Sequence, residues 1–313
     1  MIKKTLYFGN PTYLSCRNKQ LVIELPEITK ANMHPSLQQK GVITRPIEDI
    51  GVVVLDNPQI TITQATLENL LQNRCAVITC DNKRMPLGLL LPLYGNTTQN
   101  ERFRHQLSAS KPLQKQLWQQ TIESKINNQA FILNRFRNDE ALNLKVWARE
   151  VKSGDSTNLE ARAAAYYWKT LFGTIPGFIR EREGVPPNNL LNYGYAILRA
   201  VVARALVISG LIPTLGIHHH NKYNPFCLAD DIMEPYRPFV DKQVLRIMSS
   251  LGASEVLTRA EKAELLLIPT LDVWMENKKR PLMVAVSQTT ASLCKCFKGE
   301  SRKIDYPSMS QYG

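Results

Sequence analysis

The chain has 313 residues, 44% of them hydrophobic, which is enough to bury one large core or, more in keeping with domain sizes, two. A formal net charge of +12 favours a polyanionic partner over a small acidic-site ligand, although a basic surface also suits a membrane. No apolar run approaches the roughly 20 residues that span a bilayer, and MIKKTLYFGN lacks the apolar stretch and cleavage site of a signal peptide. Cys16, Cys75, Cys80, Cys227, Cys294 and Cys296 form no C-x-x-C pair, and Cys294-Lys295-Cys296 is too close for a zinc half-site. They read as reduced thiols of a cytosolic, cytoplasmic protein.

The first third reads as β. KTLYF, then TYLSCRNKQLVIEL around an Asn18-Lys19 turn, GVITRP and DIGVVVLDN are short runs rich in β-branched and aromatic residues with turn signals between them. ITITQATLENLLQ starts as a strand and becomes a helix from about Gln64, and CAVITC is a further buried strand. RMPLGLLLPLYGNTTQN, with its prolines, glycines and polar cluster, places a domain boundary near residues 91–100. Strands first and helices later predict an α+β chain with segregated units rather than alternating βαβ winding. The expected division is a β-rich domain over 1–92, a linker over 93–100 and an all-α domain over 101–313.

ERFRHQLSAS is a short helix. KPLQKQLWQQTIESKINNQAFILNRF sets Leu113, Leu117, Ile122, Ile126 and Leu133 at helical spacing behind Pro112. Lys111, Lys115, Lys125, Arg135 and Arg137 fall outside that stripe and read as a solvated face. In SGDSTNLEARAAAYYWKTLFG, Asp155, Ser156 or Thr157 is expected to cap a helix, with Glu160 in its first turns and Ala161, Ala163, Ala164 and Ala165 allowing close packing. PPNNLLNYGYAILRAVVARALVISG is apolar enough for a central buried helix, yet carries Asn192, Tyr193, Tyr195 and Arg199.

The richest stretch is GIHHHNKYNPFCLADDIMEPYRP. Three adjacent histidines fan apart, by about 100° each in a helix, so no more than one or two can aim at one point. Asp230, Asp231 and Glu234 are helix-face neighbours, and carboxylates crowded together repel unless a metal or base neutralises them. One His and two carboxylates make a hard, mostly oxygen site suited to Mg²⁺ or Mn²⁺. The bland alternative is a solvated loop followed by an ordinary acidic helix start.

Taken together, LEARAA, NYGY, GIHHHN and LADDIMEPYRP, in this order, resemble the CRISPR-associated integrase, the first-numbered protein of the CRISPR adaptation machinery, in its type II form. A closing KKRPLMVAVSQTTASLCKCF segment is also of the family type. The resemblance implies a metal site of Glu160, His219 and Glu234, with His218 and His220 open as alternatives by a one-position slip. Asp231 matches an acidic position beside the metal, as a further ligand or a support behind the ligands, with Asn192, Tyr193 and Tyr195 near it. Ala161 stands where related sequences often have Gly.

The resemblance further implies a metal-dependent endonuclease and integrase of antiviral defence. It inserts the 3′-hydroxyl ends of a protospacer into a CRISPR repeat, which is spacer acquisition, and also hydrolyses DNA. It implies homodimers through the β-rich domain and two such dimers flanking a dimer of the small second-numbered CRISPR-associated protein. Arg162, Tyr166, Arg180, Arg199, Lys222, Tyr223, Arg237 and Lys242 are the candidates for holding double-stranded DNA. Two other readings remain: a metal-independent DNA-binding protein with structural acids, and a phosphoesterase on small substrates, which the basic charge disfavours.

Overall fold

The computed structural model describes residues 3–26 and 42–309; Met1, Ile2 and Gly41, at the ends of predicted segments, lie outside them. The chain divides into two compact units, Met1–Gly95 and Asn96–Gly313. It is an α+β protein, strand-rich first and mostly helical after.

The first unit holds two four-stranded sheets among its described residues. One runs β1 (Lys4–Phe8), β5 (Ile50–Leu55), β7 (Ala76–Cys80), β8 (Pro86–Leu90); the other runs β4 (Val42–Pro46), β3 (Gln20–Glu24), β2 (Thr12–Arg17), β6 (Ile60–Ile62). The Asn18-Lys19 turn, both residues at positive φ, joins β2 to β3 as the dipeptide predicts. Phe8, Leu14, Leu21, Ile47, Val53 and Val77 meet in one core with Leu70 of helix α1 (Gln64–Gln72), whose Thr63 cap accepts the Thr66 N–H. Two expectations change. β1, β5 and β7 pair in parallel, so β5 and β7 need a crossover, which α1 supplies. Part of the expected boundary segment is β8, hydrogen-bonded antiparallel to β7, because a proline is tolerated at the first residue of an edge strand.

The second unit contains α2 (Gln99–Leu107), α3 (Lys111–Arg137), α4 (Leu142–Glu150), α5 (Leu159–Phe172), α6 (Asn188–Ile208), α7 (Cys227–Met233), α8 (Arg237–Leu251), α9 (Arg259–Leu265) and α10 (Leu282–Lys298). It is not purely helical: β9 (Asp272–Met275) and β10 (Lys278–Pro281) form a hairpin around Glu276 and Asn277, both at positive φ. α6 is its axis, packed by α7, α8, α9 and α10. At 21 residues α6 is long and apolar enough to cross a membrane, contrary to the reading from the sequence, but here it forms the core of the helical unit. Gly194 lets it approach α8, since a Cβ there would stand 2.5 Å from Val240 Cγ1. On α3, Leu113, Leu117, Ile122, Ile126 and Leu133 are buried, each contributing about 1.5–3 kcal/mol.

Lys125 is the exception to the solvated face expected on α3: it is 7% exposed. Ala161 and Ala165 also differ from expectation, being exposed, and Ala163 alone of that alanine set is fully buried.

Candidate active site

The site assembles from three segments. α5 carries Glu160 in its first turn, where Asp155 fixes the helix start by accepting the Leu159 N–H at 2.9 Å and the Glu160 N–H at 3.0 Å. The short α7 runs into a 3₁₀ turn, Glu234–Tyr236, which presents Glu234 at the seam with α8. The third segment, α3, delivers Lys125. Its Nζ lies 2.5 Å from Glu160 Oε1 and 2.6 Å from Glu234 Oε2. Asn128, one turn on, holds that register by donating to the carbonyls of Pro235 at 2.9 Å and Pro307 at 3.1 Å.

Charges here are balanced by opposition rather than by solvent. Burial alone would push the Glu234 carboxyl up; Arg237, then Lys125, more than reverse this and hold it at about 2. Burial likewise works against the Lys125 ammonium, and Glu234 and Glu160 more than offset it. Arg237 Nε donates to Glu234 Oε1 at 2.9 Å. The other oxygen, Glu234 Oε2, is buried against the Lys125 ammonium at 2.6 Å. The Glu160 side chain is 32% exposed against 8% for Glu234 and 9% for Lys125, so the opening of the site lies on the Glu160 side.

The histidine run is sorted by its neighbours. His218 lies flat on Trp118, ring centroids 4.1 Å apart. The His219 ring stands edge-on to Trp118, and its Nδ1 is 2.5 Å from Asp231 Oδ1. That bond raises the His219 pKa against the effect of burial, with Asp231 and then Glu234 adding to it. Asp231, fully buried, also accepts the N–H groups of Ile217, His218 and His219 at 2.7, 3.0 and 3.3 Å. A carboxylate so occupied serves the histidine loop. Gly216 is required there, because a Cβ would sit 2.4 Å from the His219 carbonyl and 2.7 Å from Asp231 Oδ2. Asp230 is separated from both neighbours by its own partners, Arg199 Nε and Asn224 Nδ2, each at 2.7 Å.

Among the remaining candidates, Tyr195 is linked to the site through Arg237: the Arg237 and Arg180 guanidiniums stand over its ring at 4.7 and 5.3 Å. Asn192 accepts from Arg180 at 2.8 Å and donates to the Arg182 carbonyl, so it anchors the Arg180 loop. Tyr193 is not at the site. Two residues from Tyr195 on a helix, it points about 200° away, toward Lys262. Arg162 covers Trp147, Tyr166 donates to Asp139, Lys222 lies over the exposed ring of Tyr223, and Lys242 sits near Arg135 and Arg246. None of these contacts reaches Glu160 or Glu234. Lys125 is the residue missed from sequence. Trp118, Thr121, Lys125, Asn128 and Ile132 repeat at helical spacing and are all buried, so a polar stripe at core positions was the available signal.

The family described as CRISPR associated protein Cas1 matches residues 6–265. The chain belongs to the Cas1 family. It is 36% identical over 294 residues to the CRISPR-associated endonuclease Cas1 of Neisseria meningitidis serogroup C (strain 8013), covering 93% of this chain and 91% of that one. In structure it is similar to a casposase bound to integration product, with a TM-score of 0.77, 18% identity and coverage of 100% of this chain and 95% of that one. It is also similar to part of a Cas6-RT-Cas1–Cas2 complex, with a TM-score of 0.71, 20% identity and coverage of 96% of this chain and 35% of that one. At these identities the two structural likenesses speak for a shared fold.

The donor set suits a divalent cation. Two carboxylates on separate helices converge on one positive centre. Among the described residues, however, no three His, Cys, Asp or Glu side chains stand ready-grouped for an ion; the positive charge between the acids is Lys125.

Proposed function

We propose that this chain is a CRISPR adaptation integrase that joins the 3′-hydroxyl ends of a short DNA duplex to phosphodiesters of a CRISPR repeat. The observation that carries the reading is the meeting of Glu160 and Glu234 at one buried cation position; His219, oriented by Asp231, is close enough to Glu234 to feel its charge. Glu160, Glu234 and His219 through Nε2 would hold Mg²⁺ or Mn²⁺, with Asp231 fixing the ring as carboxylates commonly do behind a metal-bound histidine. When bound, the ion would polarise the scissile phosphate and lower the pKa of the attacking hydroxyl.

The chain's own groups supply the rest. Arg237 spends its Nε on Glu234 and has its two terminal nitrogens to offer a phosphate oxygen; Tyr195 and Asn192 steady Arg237 and Arg180 in turn. Arg199 of α6 is tied to Asp230 of α7 at 2.7 Å. The preorganised positive charge stabilises the oxyanions that develop as one P–O bond forms and another breaks, releasing a DNA 3′-hydroxyl. No protein nucleophile is needed. Water in place of the 3′-hydroxyl makes the same site a nuclease. The net charge of +12 suits phosphate contacts whose strength falls steeply with salt. We further propose homodimerisation through the strand-rich unit and assembly with the small second-numbered CRISPR-associated protein, in keeping with the likeness to part of a Cas1–Cas2-containing complex.

The test is strand transfer. Wild type and Glu234→Ala, each with the small partner protein, receive a labelled duplex with free 3′-hydroxyls and a supercoiled plasmid carrying a repeat, with Mn²⁺, Mg²⁺ or EDTA. Wild type is expected to join label to plasmid in metal and not in EDTA, and Glu234→Ala to join none. Equal DNA binding with no joining by either protein in any metal would leave a DNA-binding protein whose acids are structural.

A further inference from the structure

We propose that Lys125 is a built-in substitute for the divalent cation: its ammonium holds the position between Glu160 and Glu234 until a metal arrives, then leaves it toward the substrate phosphate. The inference rests on the metal-dependent reading above. It starts from a local cost. Two carboxylates drawn to one point in a poorly hydrated pocket repel strongly, and an empty cation position would favour splaying them apart or protonating one. Lys125 removes that cost. Its Nζ stands 2.5 and 2.6 Å from the two acids, so their facing oxygens lie no further apart than the two contacts combined. The ion's position is therefore kept in shape by a side chain that is itself a cation.

Three further observations separate a removable counter-ion from a permanent strut. First, Glu234 Oε2 is buried and meets the ammonium at 2.6 Å, an electrostatic contact that a divalent ion at the same point would make more strongly. Second, Lys125 is a four-carbon stem on a backbone pinned by Asn128, and Thr121 one turn before it bonds to Leu117 and Tyr306, so the ammonium can swing while the helix stays. Third, the way out is on the Glu160 side, where the exposure is. Charge counting agrees. Glu160, Glu234, Lys125 and Arg237 sum to zero as they stand, and a divalent ion makes the group doubly positive. That excess is matched when a phosphodiester and its attacking oxyanion enter, so metal and DNA should favour one another's binding.

Lys125→Met keeps the stem's length and removes the charge. Mn²⁺ binding to full-length wild type, Lys125→Met and Glu234→Ala is measured without DNA by calorimetry and by the electron paramagnetic resonance of free Mn²⁺. Lys125→Met is expected to bind Mn²⁺ at least about tenfold more tightly than wild type. It should also melt lower than wild type in EDTA and recover that difference in Mn²⁺. Equal or weaker Mn²⁺ binding by Lys125→Met would overturn the proposal and make Lys125 a structural strut. A wild type that binds no Mn²⁺, with Glu234→Ala indistinguishable from it, would instead sink the metal-dependent reading. Should Lys125→Met fail to fold, wild type with ¹³Cε-labelled lysine decides: on Mg²⁺ addition the Lys125 resonance should move toward that of the exposed lysines, and an unmoved resonance rejects the substitution of one cation by the other.

Discussion

Glu234 and Asp241 lie seven residues apart, about two helical turns, and both are buried, yet the protein treats them oppositely. Glu234 faces two cations, Arg237 and Lys125, and its carboxyl is held at about 2. Asp241 faces two phenols: Tyr195 O–H donates to it at 2.5 Å and Tyr167 O–H at 2.8 Å. Burial pushes the Asp241 carboxyl up to about 6 in spite of those bonds. Arg237 joins the two pockets, donating to Glu234 while lying over the Tyr195 ring. The difference teaches that burial alone says little about an acid's task. A carboxylate kept charged by paired cations fits the proposed ion site, whereas one whose carboxyl is raised by burial, with two phenols as its hydrogen-bond partners, supports its surroundings.

The contrast can be broken or sharpened by substitution. The largest effect is expected at the charged pocket, where Glu234→Ala removes half of the cation position and should lower strand joining by at least about 10²–10³-fold in the gel assay. Asp231→Asn comes next. It cannot match a carboxylate that accepts three backbone N–H groups and His219 Nδ1, so Mn²⁺ affinity and joining should each fall about 10–100-fold, read by calorimetry and the same gel.

Asp241→Asn should leave joining within a few fold and change the pH profile of stability instead. The folded-state pKa of Asp241 is raised, so its stabilising contribution is fully present below the unfolded value of 3.8 and is lost as pH rises through about 6. Wild type should therefore lose roughly 3 kcal/mol relative to Asp241→Asn between pH 4 and 7, measured by urea unfolding at each pH. A parallel pH dependence of the two proteins would show that Asp241 is not the titrating group. Tyr195→Phe is the mildest. It leaves Asp241 with the Tyr167 bond and Arg237 with an aromatic face, and should cost about 1–2 kcal/mol of stability at pH 7 with joining nearly unchanged.

Much of the fold was legible in the residues. The β2–β3 hairpin, the strand-to-helix change at Gln64 and the Leu113–Leu133 stripe follow from local propensity and periodicity, which act over a few residues. β8 and the β9–β10 hairpin were not legible. A proline-bearing strand and a four-residue pair exist because neighbours supply their hydrogen bonds, and sequence windows do not contain those neighbours. The site divides the same way. The motifs around Glu160, the histidines and Glu234 are long enough to mark themselves, but a lysine on a 27-residue helix looks solvated until the packing of that helix is known.

The sequence by itself thus determined the order of strands before helices, the family and the acids that can carry chemistry, because each is written in contiguous residues. Only the tertiary structure decided which groups face one another. Glu160 and Glu234 are 74 residues apart and Lys125 is a further 35 before Glu160, and nothing local links them. Their meeting depends on three helices packing at one register. Whether a charged side chain is solvated, paired or protonated is fixed by the few ångströms around it, and those ångströms belong to the fold.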